Sequence, residues 1–242
     1  MKNQYEILKE IINQSHSIVV FTGAGISVPS GIPDFRSADG IYNQKTNFSA
    51  SPEDIISHSF FMSHTEDFYS FYKDKMCYPK AEPNTAHKYF ADLEKKGKNV
   101  IVVTQNIDGL HQRAGSKTVY ELHGTIHQNY CMKCGRLFGL DYVMNSKGVP
   151  HCDKCGGIVK PDVVLYEEGL DEDTIQRSIS AIMTCDTLII IGTSLRVYPA
   201  AGFIRYFRGR HLVVINKDAT SYDSNCDLVF NEDVINVINQ IK

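Results

Sequence analysis

NVIVVTQNIDGLHQRAGSKTVYELHG, residues Asn99 to Gly124, is the stretch on which the reading of this chain turns. Val100, Ile101, Val102 and Val103 form a β-branched run of the kind found in a strand covered on both faces. Where the run stops, the side chains change at once to a hydroxyl, amides, an acid and an imidazole: Thr104, Gln105, Asn106, Asp108 and His111. In an open α/β sheet, ligands bind beyond the carboxyl ends of the strands. A second apolar piece, Val119 to Leu122, ends in His123 and Gly124. Taken alone, Gln105 to Asp108 reads first as the N-cap of a helix; the rest of the chain tips the balance.

Working outward, Ser17 to Phe21 is another buried strand and runs straight into Thr22-Gly23-Ala24-Gly25-Ile26-Ser27. A Gly-x-Gly at the end of a first strand lets the backbone approach a pyrophosphate and leaves amides free to point at it. Val28 stands where the dinucleotide fingerprint has its third glycine, and no second strand ends in an acid about 20 residues on. Both points argue against a standard NAD(P) dehydrogenase half, and a nucleotide bound here is held differently. Pro29, Gly31 and Pro33 stiffen the segment that follows, so Asp34, Phe35 and Arg36 sit on a loop beside the glycines, suited to cover a ligand.

Strand signals recur at 158–166, at 187–191 running into Gly192-Thr193-Ser194, at 212–215 running into Asn216, and at 228–230. Helical patterns fall between them. Ile7, Leu8, Ile11 and Ile12 mark a first helix; Ser51-Pro52-Glu53 opens an aromatic-rich helical stretch to Met76; Pro83-Asn84 starts another that ends at Gly97. Further helical stretches cover 171–185 and 199–208, and a last one begins at Glu232. Strands alternating with helices predict an α/β fold, a doubly wound, Rossmann-like parallel sheet. The large lobe comprises about 1–30, 77–127 and 161–242. Insertions at about 31–76 (helical) and 128–160 (a zinc ribbon) make a smaller lobe, with a cleft between the two.

Composition narrows the function. With 242 residues and 43% hydrophobic the chain can bury a sizeable core. Lys plus Arg number 25 against 28 acids, for a formal net charge of −3 with no basic block. That argues against a nucleic-acid surface and against a polybasic membrane patch. No apolar run is long enough to span a bilayer, and the charged, helically patterned N-terminus is no signal peptide. Four of the seven cysteines form two pairs, Cys131/Cys134 and Cys152/Cys155, with 17 residues between the pairs. That spacing fits a four-thiolate zinc site with no open position, and hence a structural metal in a reducing cytosol. Cys77, Cys185 and Cys226 read as core thiols. A soluble, cytoplasmic protein is expected.

GAGISVPSGIPDFR, TQNIDGLH, the LHG carrying His123, the two CxxC pairs, KPDVVLYEE and GTSLRVYPA together resemble the sirtuin family of NAD-dependent protein lysine deacylases. The match runs over essentially the whole chain, residues 1–242, as a single catalytic domain. With no long extension at either end, the chain is similar to the compact bacterial members. The resemblance implies that acyl-lysine and NAD yield lysine, nicotinamide and acyl-ADP-ribose, with His123 as base on a ribose hydroxyl and Asn106 and Asp108 also catalytic. It implies that Gly23, Ala24 and Gly25 approach the pyrophosphate, with Val28 also among the cofactor contacts. Phe35 covers the ribose face and Arg36 holds the loop and phosphates. Gln105 and Asn106 take the ribose, Ile107 and Asp108 the carboxamide. Gly192, Thr193, Ser194, Asn216, Asp233 and Val234 take the adenosine half. An acylated-lysine peptide lies as a strand between Val164-Leu165-Tyr166 and Val197-Tyr198.

Two departures stand out. Tyr166-Glu167-Glu168 replaces the frequent Phe-Gly-Glu, which adds a charge beside the peptide groove. Tyr69 and Tyr72 align with the Tyr-x-x-Arg pair of desuccinylating members, so the arginine is absent and the acyl pocket is expected to be neutral. An NAD-dependent ADP-ribosyltransferase or glycohydrolase, or a zinc-ribbon binding module, are the rival readings. The physiological substrate and the oligomeric state stay open.

Overall fold

The computed structural model describes residues 2–44 and 50–242; residues 45–49, within the helical insertion, lie outside the described residues. α1 (Gln4–Gln14) starts on a reciprocal cap, the Asn3 side chain accepting from the Glu6 amide and the Glu6 carboxylate from the Asn3 amide. It buries Leu8, Ile11 and Ile12 and leaves Ile7 half-buried. β1 (Ser17–Thr22) is followed by two single 3₁₀ turns over 24–26 and 28–30. Residues 51–76 form three helices instead of one continuous stretch: α2 (Pro52–Ile55), α3 (His58–Ser63) and α4 (Thr65–Lys75). The breaks have local causes. The Ser51 and Ser57 side chains accept from the Asp54 and Phe60 amides and so start new helices, while His64, at φ −133°, ends α3.

Asn84 caps α5 (Thr85–Lys95), and the opening stretch becomes β2 (Asn99–Thr104), α6 (Leu110–Ala114) and β3 (Val119–Glu121). β4 (Gly124–Cys131), β5 (Leu137–Gly139), α7 (Leu140–Asn145) and β6 (Val159–Val163) carry the cysteines. α8 (Glu172–Thr184), β7 (Thr187–Ile191), β8 (His211–Ile215), β9 (Leu228–Phe230) and α9 (Val234–Ile241) complete the chain. The stretch expected as a helix over 199–208 is a 3₁₀ segment, Ala200–Tyr206.

Six parallel strands form one sheet in the order β3-β2-β1-β7-β8-β9. Counted among themselves these are 3-2-1-4-5-6, the order of dinucleotide-binding sheets. Alternate residues face opposite sides. Ile18, Val20, Ile189, Ile191, Val213 and Ile215 pack with α1, α5 and α9. Val19, Phe21, Leu188, Ile190 and Val214 pack with α8 and the segment 200–204. Both faces are covered, which is why these strands are apolar throughout.

A second sheet is antiparallel, β5-β4-β6. The segment 158–166, expected among the parallel strands, contributes β6 here. The reason is the cysteine tether: β6 leaves the second CxxC pair and returns directly beside β4, Val159 opposite Cys131, with no crossover helix to carry it to the large sheet. The small sheet therefore extends from Gly124 to Val163, beyond the 128–160 expected for the ribbon. Phe61, Phe68, Tyr69, Phe71 and Tyr72 share one core with Ile126, Phe138, Val143, Val159 and Leu165, so the helical insertion and the ribbon form one small lobe.

The loops after β1 and β7 meet at the switch point of the large sheet. The Gly25 amide donates to the Gly192 carbonyl at 2.8 Å and the Gly23 amide to the Ile191 carbonyl at 3.0 Å. A Cβ on Gly192, whose φ is +59°, falls 2.4 Å from the Ile26 nitrogen. Gly192→Ala combines left-handed strain with an overpacked contact, and should lower unfolding stability by about 2–4 kcal/mol in urea titration. A loss within about 0.5 kcal/mol would show that the two loops separate freely.

Candidate active site

The polar residues at the carboxyl ends of β1, β2 and β7 form one connected group. Asn106 Nδ2 donates to Ser27 Oγ at 3.1 Å, and Ser27 Oγ donates to Asp108 Oδ2 at 2.7 Å. Asp108 Oδ1 accepts from the Leu110 amide at 2.9 Å in an Asx turn; the N-cap of α6 is Gly109, which has no side-chain cap, so the N-cap reading of residues 105–108 is corrected by one residue. Burial pushes the Asp108 carboxyl up, opposed by the Leu110 amide and the Ser27 hydroxyl. Gln105 Nε2 donates to Thr193 Oγ1 at 3.1 Å and ties β2 to β7 across β1. Ile107 faces the small-lobe core and its carbonyl accepts from the Ile126 amide at 3.0 Å.

His123 lies between β3 and β4. Its Nδ1 stands 3.0 Å from the Gln105 carbonyl oxygen. A carbonyl can only accept, so Nδ1 carries the proton and Nε2 keeps a lone pair. Burial lowers the ring's pKa below the usual 6.5, with the Gln105 carbonyl opposing. The result is an imidazole that is neutral at neutral pH and presents a proton acceptor.

The glycine loop corrects one expectation. The amides of Gly23 and Gly25 point at the end of β7, not at open space, so these two glycines serve the contact between loops. Ala24 lies in the first 3₁₀ turn and Val28 opens the second. Phe35 and Arg36 lie on a loop that closes on itself: the Ile41 amide donates to the Asp34 carbonyl and the Tyr42 amide to that of Phe35. Phe35 sits edge-on to Tyr42 at 5.5 Å, and Arg36 lies over the Tyr42 ring and 3.6 Å from Glu53. Of the adenosine-side set, Gly192 and Thr193 join the group above and Ser194 is exposed. Asn216 Nδ2 donates to the Asp218 carbonyl, and Asp233 caps α9 just before Val234 and pairs with Lys217.

The peptide-side residues lie on separate loops. Val164 is half-buried, Leu165 buried and Tyr166 exposed after β6; Val197 is half-buried and Tyr198 exposed after β7. The Val164 amide donates to the His123 carbonyl at 3.0 Å, which ties this loop to His123. The Glu167 carboxylate is turned onto α3, accepting from the Ser59 amide and hydroxyl at 2.9 and 3.0 Å. A cavity of about 440 Å³ lies between α2, α3 and Tyr166-Glu167 and contains none of the residues around Asn106 or His123. Tyr69 and Tyr72 are fully buried in the small-lobe core; Tyr69 donates to the Val159 carbonyl, and Tyr72 buries its hydroxyl beside the Cys77 thiol.

Two links have no counterpart among the sequence expectations: Ser27 joins Asn106 to Asp108, and Thr22 bonds Thr104 where β1 and β2 end side by side. Their signal was present as hydroxyls at strand ends, but a lone Ser or Thr carries too little chemistry to be singled out. The three cysteines outside the CxxC pairs are core thiols at Cys77 and Cys185, whereas Cys226 is only half-buried.

The four paired cysteines converge, all Sγ atoms within 4.8 Å of one another. Cys131 and Cys155 are 3.4 Å apart and Cys134 and Cys152 3.7 Å. Zn–S bonds of about 2.3 Å in a tetrahedron give edges near 3.8 Å, so the donor set fits zinc. Glycines follow each pair, and a Cβ on Gly157 would lie 2.9 Å from Cys131 Sγ.

A model of the Sir2 family matches residues 23–199. The chain is 59% identical over 235 residues to an NAD-dependent protein deacetylase of Clostridium acetobutylicum, covering 97% of this chain and 96% of that protein. It is 55% identical to one of Clostridium perfringens, over 100% and 99% of the two chains. Among solved structures it is similar to a Sir2 variant with a deacetylated p53 peptide and 3'-O-acetyl ADP ribose, at a TM-score of 0.89 and 38% identity over 99% of this chain and 97% of that one. A Sir2–p53 peptide–NAD+ complex matches at a TM-score of 0.86 and 39% identity, with the same coverage.

The cysteine geometry sets a test. Metal analysis should find about one zinc per chain. Cys131→Ser and Cys152→Ser should each lose the metal and lower the melting temperature, since metal-binding energy is folding energy in such sites. Full stability of metal-free protein would sink the assignment.

Proposed function

The chain belongs to the Sir2 family, and from that premise we infer that it is an NAD-dependent protein deacetylase, releasing nicotinamide and transferring the acetyl group of acetyl-lysine to ADP-ribose. When bound, NAD supplies the anomeric carbon that parts from nicotinamide. The chain's own residues do the rest. His123, its Nε2 lone pair free, removes a proton from a ribose hydroxyl. Asn106, hydrogen-bonded through Ser27 to Asp108, orients the nicotinamide ribose, and Ile107 and Asp108 hold the carboxamide. Gln105 takes the ribose beside Thr193, and Phe35 covers its face while Arg36 steadies the loop. Gly23, Ala24, Gly25 and Val28 flank the pyrophosphate; Gly192, Ser194, Asn216, Asp233 and Val234 contact the adenosine half. The observation that supports this reading most directly is the His123 tautomer fixed by the Gln105 carbonyl.

The acylated peptide lies as a strand between Val164-Leu165-Tyr166 and Val197-Tyr198, in the cleft between the lobes outlined from the sequence. We place the protein in the cytoplasm, acting on acylated proteins and not on nucleic acid or membranes. No described helix is long and apolar enough to cross a membrane.

His123→Ala should cut turnover by about 10²–10⁴, the worth of a positioned base, with NAD affinity largely kept. Because burial holds the folded pKa below 6.5, the unprotonated base persists through that pH, and the acid limb of kcat/KM should fall below 6.5. Near-normal acetyl-ADP-ribose formation by the variant, or an acid limb above 6.5, removes His123 from this role. Nicotinamide release without acylated peptide would favour a glycohydrolase.

Acyl choice follows from the cations near the small-lobe core. Lys73 Nζ donates to the Ser146 and Gly148 carbonyls, and Lys160 pairs with Glu168. Burying a succinyl carboxylate unpaired costs several kcal/mol. Deacetylation should therefore far exceed desuccinylation in kcat/KM on one peptide sequence; equal rates would mean that another cation reaches the acyl group.

A further inference from the structure

From Thr187 to Asn216 the chain carries four arginines, Arg196, Arg205, Arg208 and Arg210, and neither an acid nor a lysine. These are four of its eight arginines, in a chain whose formal net charge is −3. The other four each meet a carboxylate: Arg36 stands 3.6 Å from Glu53, Arg113 2.6 Å from Glu82, Arg136 2.8 Å from Asp153 and Arg177 2.7 Å from Asp173. Among the described residues, none of the four between 196 and 210 makes such a pair. Arg210, at the head of β8, still has Asp186 within electrostatic reach. Arg196, Arg205 and Arg208 are exposed and unpaired by any carboxylate.

These three lie along the segment that leaves β7 and crosses to β8. Arg196 stands two residues before Tyr198, which is 72% exposed. The Ala201 amide donates to the Val197 carbonyl at 2.9 Å, and a Cβ on Gly202 would lie 3.5 Å from Tyr198 Cε1. The Tyr198 ring is thus laid along the segment that carries Arg205. Arg205 lies over the Tyr206 ring, 5.0 Å from its centroid, and its Nη2 donates to the Tyr206 hydroxyl at 3.1 Å. Tyr198 and Tyr222 are its other electrostatic neighbours. Arg208 Nη1 donates to the carbonyls of Arg205 and Phe207, both at 2.7 Å, which holds one guanidinium beside the backbone of the other. Guanidinium groups held on a ring and on carbonyls lose less freedom when they bind, and their planar forks match carboxylates. Exposed tyrosine beside arginine is also the composition of recognition surfaces.

We propose that Arg196, Arg205 and Arg208, arranged along Tyr198, form a recognition surface for acidic side chains of the substrate protein on one side of the acyl-lysine. The surface rests on the reading that the peptide runs along Val197-Tyr198, with which it is continuous. Nucleic acid is the other polyanion that arginines meet, but it is held by many phosphate contacts over a broad basic face, and this strip is short and free of lysine. Exposed ion pairs are individually weak. What a strip of them supplies is steering and a preference among substrates, both sensitive to salt.

The test compares acetyl-lysine peptides of one sequence with a pair of glutamates placed before or after the lysine, or glutamines in the same positions. At about 50 mM salt, kcat/KM should favour one glutamate peptide over its glutamine twin by about five- to tenfold, and about 0.5 M salt should remove most of that gap. Arg196→Gln, Arg205→Gln and Arg208→Gln should each lower the ratio in part, and the three together should bring it near one. Arg205→Glu with Arg208→Glu should turn the preference toward lysines in those positions. A merely structural role would lower both rates together and leave the ratio unmoved. The proposal is overturned by a ratio near one in the unmodified protein, by a ratio that survives the triple variant, or by tighter binding of a single-stranded oligonucleotide than of the glutamate peptide. Turnover without a charge preference sinks the surface alone. If no acetylated peptide of any charge is turned over, the deacetylase reading falls and the surface with it.

Discussion

Gly25 and Gly192 stand back to back at the ends of β1 and β7, and the two loops meet there because no side chain keeps them apart. A Cβ on Gly25 would lie 2.6 Å from the Gly192 Cα. From β1 the sheet runs outward to β2 and β3, and from β7 to β8 and β9, so the chain turns away from this pair in both directions. A crevice opens where the order reverses. The glycines keep its floor thin enough for Gln105 on one side to reach Thr193 on the other. Had the glycines served only to free amides for a phosphate, their own amides would not be committed to the Ile191 and Gly192 carbonyls.

Around that floor the polar groups are buried but joined to one another, which is the condition for keeping them there. Ser27 is the centre of the arrangement: its hydroxyl accepts from Asn106 and donates to Asp108, so two side chains with different chemistry are fixed by one proton direction. Burial raises Asp108 and lowers His123. Both shifts come from burial and disfavour the charged form, with the Leu110 amide and Ser27 hydroxyl opposing the rise at Asp108, and the hydrogen bonds fix which atoms donate and which accept. Such preorganised groups are most effective where charge develops during reaction.

The large sheet was legible from sequence because each strand is an apolar run ending abruptly in polar residues, and a sheet covered on both faces imposes that pattern. The zinc site was legible from spacing alone, since four thiolates at those intervals have few other uses. The break of 51–76 into three helices was not, because Ser51 and Ser57 act as caps only once their geometry is set, and aromatic residues continue across the breaks. The placement of β6 was also hidden. Lys160, Pro161 and Asp162 within Val159 to Val163 speak against a central parallel strand, but Ile158 and the run Val163 to Leu165 on either side mask them, and the partner is set by the cysteine tether. The links made by Ser27 and between Thr22 and Thr104 are not legible because their importance lies in which neighbours they join. Composition does not report that.

Glu167 shows how a departure from a family pattern is absorbed. It lies at φ +75°, a region open to glycine and costing other residues about 1–3 kcal/mol. Two hydrogen bonds from Ser59 offset that cost and draw the carboxylate onto α3. The neighbouring Glu168 is held by the buried Lys160, the Leu165 amide and His58. Two backbone bonds, His58 amide to Tyr166 carbonyl and Tyr166 amide to Ile56 carbonyl, pin the same loop. The segment 164–168 is thus bonded to Ile56, His58, Ser59 and Lys160 of the small lobe, while its Val164 amide reaches back to the His123 carbonyl. A loop held in this way moves with α3 and the ribbon as one piece. The four-cysteine cluster and the aromatic core thereby set how residues 164–166 stand relative to His123.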